Sequence, residues 1–537
     1  MGFFNLNKDA GSSSSPSGGQ AVAPEAALQS SLEENLRGLK ATLGQSSDVI
    51  CREFMIGNDQ PVKAGLLYTD GLTDTAALQD FILESLMLDL PPKDEPQSTD
   101  SLVTALKDSA LTVGEVKEVT SVAVLLKGLL SGETILLIDG SATGLMVSNK
   151  KWVERGVTEP NSQTVVRGPR ESFSENIRVN TALIRRRVKD PNLWIEPKTI
   201  GVRSKTSVEL MYIHGVVDDQ VLDELRRRLD RIDIDGILDS GHVEELIQDT
   251  GFSVFPTILN TERPDVTAAA LLEGRVAILV DGSPFVLVVP ALFMQFFHSP
   301  EDFTQRVGFA SFVRLLRYFS AAIALLMPAL FIAITTFHPN MLPPPLLISL
   351  AAQREGVPFP TFIEAMLMEI AFEILREAGL RMPRSIGSAI SIVGAMVIGT
   401  AAVEAGFISA AIVIIVSITA IASFVTPVYD MGFAIRLMRF GFMVLAAVFG
   451  LFGITIGLIA LVLHLCGRRS FGVPYLTPMA PFNWSGQKDA IIRLPIWMMR
   501  NRPRLISRQN PVRQQPMADA KPKPPGSGNS EGAGENG

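Results

Sequence analysis

Three glutamates at helical spacing, Glu369, Glu373 and Glu377, lie in the stretch Phe359–Ala378, which is apolar except for these, Glu364 and Arg376. At 100° per residue they fall within a stripe about 80° wide on one helix face. A carboxylate facing lipid is costly, so such a stripe must face protein, water or its own kind. Repeated around an axis by several subunits, it becomes rings of carboxylates that pass cations. On a helix lying along a membrane surface, the same glutamates simply meet water. Arg376, three residues after Glu373, is placed to pair with it.

The next apolar run carries small residues at every fourth position, Gly387, Ser391, Ala395 and Gly399. That ridge lets helix backbones approach closely, either inside one subunit or between subunits. A second charged feature is basic. Arg167–Lys205 holds ten Lys/Arg against four Asp/Glu. Within it, Ser172–Lys189 reads as a helix with Ser172 as N-cap and Glu175 three residues on. It ends in Arg185, Arg186 and Arg187, a triplet suited to anionic lipid headgroups or an acidic partner. A salt-bridged face is the other reading. Thr261–Asp265 reads as a helix start with Pro264 in its first turn.

No phosphate-cradling loop, His-Glu-x-x-His or Cys-x-x-Cys is present, and no nucleophile–base arrangement is visible. The chain is therefore not expected to be an enzyme or to hold a metal or cofactor. Its net charge of −7 argues against nucleic acid. Two cysteines among 537 residues make no disulfide framework, which suits a cytosol-facing protein.

The positioning elements differ sharply in polarity. Tyr318–Leu465 holds 13 charged residues in 148 positions, against 90 in the other 389. Four uncharged runs, Tyr318–Phe337, Ile386–Val403, Gly406–Val425 and Phe440–Leu465, are each long enough to cross a bilayer as a helix. Arg306, Arg314 and Arg317 precede the first run, and Arg468 and Arg469 follow the last, so both flanks read as cytoplasmic. That demands an even number of crossings. If Phe359–Ala378 also spans, the total becomes five; if it lies at the interface, Arg436 and Arg439 fall on the wrong side. The spacing leaves this open.

Upstream, strand-like and helix-like segments alternate, predicting an α/β region. Leu129–Gly140 resembles Leu271–Gly282, with six of twelve positions identical. Each copy reads as a helix ending at glycine, a doubly buried strand and an Asp-Gly turn, with return strands at Leu145–Val147 and Phe285–Val289. The expected plan is thus a soluble, cytoplasmic α/β part of two similar subdomains, followed by an all-α polytopic membrane domain. Its boundaries are a disordered tail 1–44, subdomains 45–205 and 206–315, a transmembrane domain 316–467, a basic juxtamembrane segment 468–510 and a disordered tail 511–537.

Several motifs together resemble the GerA family of bacterial spore germination proteins, the A-type subunits of nutrient germinant receptors. They include Tyr68–Gly71, Arg167–Glu171, Asn180–Arg187, Thr261–Asp265, Val280–Phe285, Arg354–Pro360, Phe372–Gly379, Arg493–Pro495 and Arg502–Pro503. The resemblance runs from about 48 to 504; Ser172 departs from an expected glycine. It implies a multi-pass protein of the spore inner membrane with its N-terminal domain on the core side. It also implies a homo-oligomer, pentameric, that conducts monovalent cations in response to nutrient, beside a transporter-like B-type subunit and a C-type lipoprotein. Similarity to the stage V sporulation protein AF implies an alternative, a channel that amplifies germination without sensing nutrient. A scaffold or transporter subunit without its own pore is the remaining reading. Glu369, Glu373 and Glu377 are the candidate ion path.

Overall fold

The computed structural model describes residues 26–56, 61–78, 115–151, 159–160, 163–249, 253–381 and 399–514. Gly387, Ser391 and Ala395, most of the run Ile386–Val403, residues 1–25 of the first expected tail and nearly all of the second lie outside these residues.

The first subdomain contains α1 (Leu32–Thr42), β1 (Val49–Ile56), β2 (Val62–Thr69), β3 (Val116–Val119), α2 (Val122–Leu129), β4 (Thr134–Ile138) and β5 (Gly144–Val147). Its antiparallel sheet has the order β1-β2-β4-β5-β3. All five residues of β4 are buried because the strand is covered on both faces. Ile135 and Leu137 pack with Leu32, Leu36 and Leu39 of α1 and Leu125 and Leu129 of α2. Leu136 and Ile138 join Leu66, Tyr68 and Leu145 on the opposite face. Residues 32–42, expected within a tail, are therefore a core helix. Ser31 caps it, its Oγ accepting from Glu34 N, and a leucine stripe anchors it.

The second subdomain repeats the plan. It comprises α3 (Ile177–Arg187), β6 (Leu193–Ile200), β7 (Thr206–Ile213), α4 (Asp219–Asp230), α5 (Ser240–Ile247), β8 (Leu259–Thr261), α6 (Pro264–Leu272), β9 (Val276–Val280) and β10 (Val286–Val289). The strand order β6-β7-β9-β10-β8 matches the first sheet position for position. A boundary at 205/206 would cut the β6–β7 hairpin, whose register runs from Leu193↔Ile213 to Ile200↔Thr206, so the second sheet begins at Leu193 instead.

The repeat extends to side chains. Asp139 Oδ1 accepts from Leu32 N at the start of α1, and Asp281 Oδ1 accepts from Ile177 N at the start of α3. The glycines beside them, Gly140 and Gly282, take φ of 87° and 86° and donate their amides to Ser30 O and Glu175 O. Helix α3 starts later than Ser172. Asn176 is its cap, accepting from Arg178 N and Val179 N, while Ser172 Oγ donates to Glu262 O.

The C-terminal part is helical: α7 (Val307–Phe337), α8 (Pro344–Arg354), α9 (Thr361–Arg381), α10 (Ala410–Phe424) and α11 (Tyr429–Gly467). Two of these, α7 and α11, are long and apolar enough to cross a bilayer. The prolines bound elements as their chemistry requires: Pro344 opens α8, and α9 starts directly after Pro360.

Helix α11 does not run straight. Thirty-four residues of helix would hold Asp430 and His464 about 51 Å apart. Yet Asp430 Oδ2 accepts from Asn260 Nδ2, and His464 Nε2 lies 3.0 Å from Ser253 Oγ. Ser253 and Asn260 are at most about 25 Å apart along the chain. The fold-back is at Gly450 (φ 60°, ψ −141°), where a Cβ would meet Phe337 at 3.0 Å. A Cβ at Gly457 would strike Phe442, so the two arms pack closely. The run Phe440–Leu465, expected as one tilted span, is thus split between two antiparallel arms.

After α11, β11 (Arg469–Ser470) and β12 (Val473–Pro474) pair. Phe471, Val473 and Ile506 bury in the core of the second subdomain, so the segment 468–510, expected as basic and juxtamembrane, also contributes to that fold.

Candidate functional site

Helix α9 packs so that its carboxylates meet arginines of α11 rather than open space. Glu369 and Arg439 form an ion pair in which each side chain is 2 % exposed. Glu373 pairs with Arg436. The spacings are complementary: glutamates one turn apart on α9 meet arginines one turn apart on α11. Arg376, expected to pair with Glu373, instead lies 4.4 Å over the ring of Phe424, a cation–π contact at the end of α10. Glu377 is more exposed and pairs with Arg381 one turn along its own helix.

A third helix completes the arrangement. Arg439 Nε donates to the carbonyl of Ala324 on α7, at 2.6 Å. In a regular helix that carbonyl would accept from residue 328, but Pro328 has no N–H. Arg439 therefore satisfies both a carboxylate and a backbone acceptor left vacant by proline. Arg436 is held by Glu373 and by the rings of Tyr429 and Phe433, 5.7 and 5.5 Å from its guanidinium carbon.

One turn and a half before Glu369, the fully buried Glu364 accepts from Ser409 N at 3.0 Å, at the start of α10. Its carboxylate thus meets the positive end of that helix. Arg354 of α8 lies 3.6 Å from its other oxygen. Since Glu364 meets Ser409 and Arg376 meets Phe424, α9 and α10 run parallel.

A second ionic cluster ties the base of α7 to the α/β part. Asp302 accepts from Arg314 Nε (3.2 Å) and Arg317 Nη1 (2.7 Å), and Arg314 also bonds Asp489. Arg314 and Arg317, read from the sequence as marking a cytoplasmic flank, are both buried, with Asp302 and Asp489 as their counter-ions. Nearby, Glu244 of α5 faces Asp430 of α11 with Asn260 as a hydrogen-bond partner. Burial first, then the Asp430 charge, push its carboxyl up to about 7.

The basic triplet is structural. Arg185 is fully buried and donates to Leu193 O at 2.8 Å, while Arg186 and Arg187 pair with Glu171. It is not a lipid-facing patch, because burial and Glu171 consume it. Arg263, also fully buried, binds Asp265 and the carbonyls of Gln163 and Pro169. Of the small-residue ridge, Gly399 is described, and a Cβ there would meet Val413 of α10 in ordinary contact, 3.6 Å away. Among the described residues no cluster of three or more His, Cys, Asp or Glu is placed to hold a metal ion.

The residues that sequence reasoning did not join to the site are Arg436, Arg439 and Pro328. Their signal was present as two arginines three apart in an apolar helix, matched to two glutamates four apart in another.

The family model described as "Bacillus/Clostridium GerA spore germination protein" matches residues 37–505. "Spore germination protein KA" of Bacillus subtilis is 46 % identical over 93 % of this chain and 90 % of its own length. "Uncharacterized membrane protein YfkQ" of the same organism is 42 % identical over 90 % of this chain and 93 % of its own. A solved structure, the N-terminal domain of the A subunit of the Bacillus megaterium spore germinant receptor GerK3, is 43 % identical and covers 50 % of this chain and 99 % of that domain, with a TM-score of 0.40.

Proposed function

From the premise that the chain belongs to the GerA family of Bacillus/Clostridium spore germination proteins, we propose that it is the A-type membrane subunit of a spore germinant receptor. It sits in the spore inner membrane, assembles with copies of itself and with B- and C-type partners, and passes monovalent cations when nutrient is sensed. It does so without catalysis of its own.

The observation that carries this reading is the pair Glu369–Arg439 with its neighbour Glu373–Arg436, enclosed in a bundle of apolar helices. Ionisable groups at bilayer depth are costly and are kept where they serve transport or gating. Here the carboxylates are latched by arginines of the same subunit, which suits a closed state. Separation of α9 from α11 frees the acidic stripe to meet cations, with Glu377 already accessible at one end. A relative whose name calls it a membrane protein supports the location.

The turn at Gly450 also favours an even number of crossings in this reading. With the uncharged run Ile386–Val403 taken as the crossing its sequence predicts, α7, α9, α10 and both arms of α11 bring the count to six. The parallel arrangement of α9 and α10 demands a return between them. Arg376, Arg381 and Arg436 then fall toward the cytoplasmic side, in keeping with the distribution of positive charge.

The test is cation flux through liposomes reconstituted with the purified receptor. Arg436→Met and Glu373→Gln unlatch α9 and raise the resting leak, and Glu373→Gln also changes selectivity. Unaltered flux from both variants in a correctly assembled complex would overturn the channel reading in favour of a scaffold.

A further inference from the structure

A cavity of about 1000 Å3 opens between the second α/β subdomain, the end of α10 and the C-terminal segment. One wall is cationic. Lys488, Arg500, Arg502, Arg504 and Arg513 line it, and among the described residues none of the five is within ion-pair distance of a carboxylate. The carboxylates that do line it are taken. Asp265 is held by Arg263 at 2.8 Å, Asp489 by Arg314 at 2.9 Å, and Glu273 lies 3.5 Å from Arg275. Arg275, 4 % exposed, has a buried Nε with no hydrogen bond. Arg513 stands near enough to Arg502 to add to the effect of burial in holding that guanidinium below its usual pKa. Like charges gathered in a partly desolvated wall are unfavourable unless an anion sits among them.

Much of the remaining surface is apolar, with threonine, asparagine and glutamine side chains among it. Phe424 and Val428 contribute from α10 and the entry to α11, and Trp497 from the turn after Pro495. Ile496 and Met498 also line it and are exposed. Aromatic and aliphatic side chains interleaved with basic ones at the end of apolar helices suit a membrane–water boundary. The wall is built rather than draped. Arg502 Nε donates to Leu272 O, Ser507 Oγ to Val216 O, and Arg508 pairs with Asp218.

We infer that this cavity binds the headgroup of an anionic phospholipid. Its phosphate sits among Lys488, Arg500 and Arg513, and its acyl chains leave past Phe424 and Trp497. The inference rests on reading the helical part as membrane-embedded. It assigns lipid contact to the C-terminal segment rather than to the arginine triplet of α3.

The experiment is native mass spectrometry of the full chain in detergent, offered phosphatidylglycerol, phosphatidylcholine or inorganic phosphate. The expected result is selective retention of phosphatidylglycerol, undiminished by excess inorganic phosphate. The double variant Lys488→Glu/Arg513→Glu should bind it about tenfold or more weakly, with an unchanged melting temperature, and Lys488→Arg should bind as the parent does. Equal retention of the two lipids, or displacement by inorganic phosphate, overturns the proposal; the latter identifies a small-anion site. If the double variant melts lower, Arg500→Gln is read instead, and full retention by it overturns the proposal. Alkaline carbonate extraction separates the two claims. A chain stripped from membranes defeats the membrane reading, whereas one that resists extraction but does not prefer phosphatidylglycerol defeats the lipid site alone.

Discussion

Arg439 stands in for the amide that Pro328 lacks: its Nε donates to Ala324 O while its Nη1 holds Glu369. One side chain thereby fastens α7, α9 and α11 together. A substitution at any of the three positions should be felt at the other two.

Breaking one side of this couple leaves a buried charge without its counter-ion. Glu369→Gln or Arg439→Met is expected to lower stability by about 3–5 kcal/mol. The double variant should lose less than the sum, because neither charge is then stranded. Thermal melting of the four proteins as a double-mutant cycle measures this. Additive losses would mean the pair is not coupled.

Pro328→Ala supplies the missing N–H to Ala324 O. In that background Arg439→Met should cost about 1 kcal/mol less than in the parent, since the carbonyl keeps a donor. An identical cost in both backgrounds would show that Ala324 does not depend on Arg439.

At Gly450 the backbone adopts a conformation that side chains rarely reach, and the Phe337 ring stands where a Cβ would go. Gly450→Ala should lose about 1–3 kcal/mol from the backbone alone. Phe337→Ala relieves the contact but not the strain, so the double variant should stay destabilised. Full rescue by Phe337→Ala would place the whole cost in the ring contact.

Glu244 gives a dependence on pH. Its carboxyl titrates near 7 in the folded protein, above the ordinary value of 4.5. Between those values the folded state keeps a proton that the unfolded chain has released, so stability falls as pH rises through this window. Allowing for solvent screening, the loss is on the order of 2 kcal/mol. Glu244→Gln should flatten the melting temperature between pH 5 and pH 7 (roughly the window's limits); an unchanged slope would assign the titration to another group.

Much of the α/β part was legible in the sequence because its signals are local. The twin stretches ending in Asp139-Gly140 and Asp281-Gly282 predicted two like units, and the Asp-Gly turns fall where their pattern placed them. What escaped was non-local or masked by composition. Helix α1 follows a Gly/Ser-rich stretch, and its leucines acquire meaning only against β4. Ser172 and Asn176 are equally good caps by type, and tertiary contact with Glu262 decides between them. Within Phe440–Leu465 the apolar character never lapses, so nothing in hydropathy distinguishes Gly450 from the glycines around it. The stripe of glutamates was visible, but its partners lie 63 and 70 residues away.

The matched clasps at Asp139 and Asp281 fix the same joint in both halves, so differences between the copies stand out against them. At the corner just before the fourth strand of each sheet, one copy has Glu133, neutralised by Lys150 at 2.9 Å, and the other has Arg275. Opposite charge at one equivalent corner thus goes with a plain structural joint in one half and with the wall of a cavity in the other.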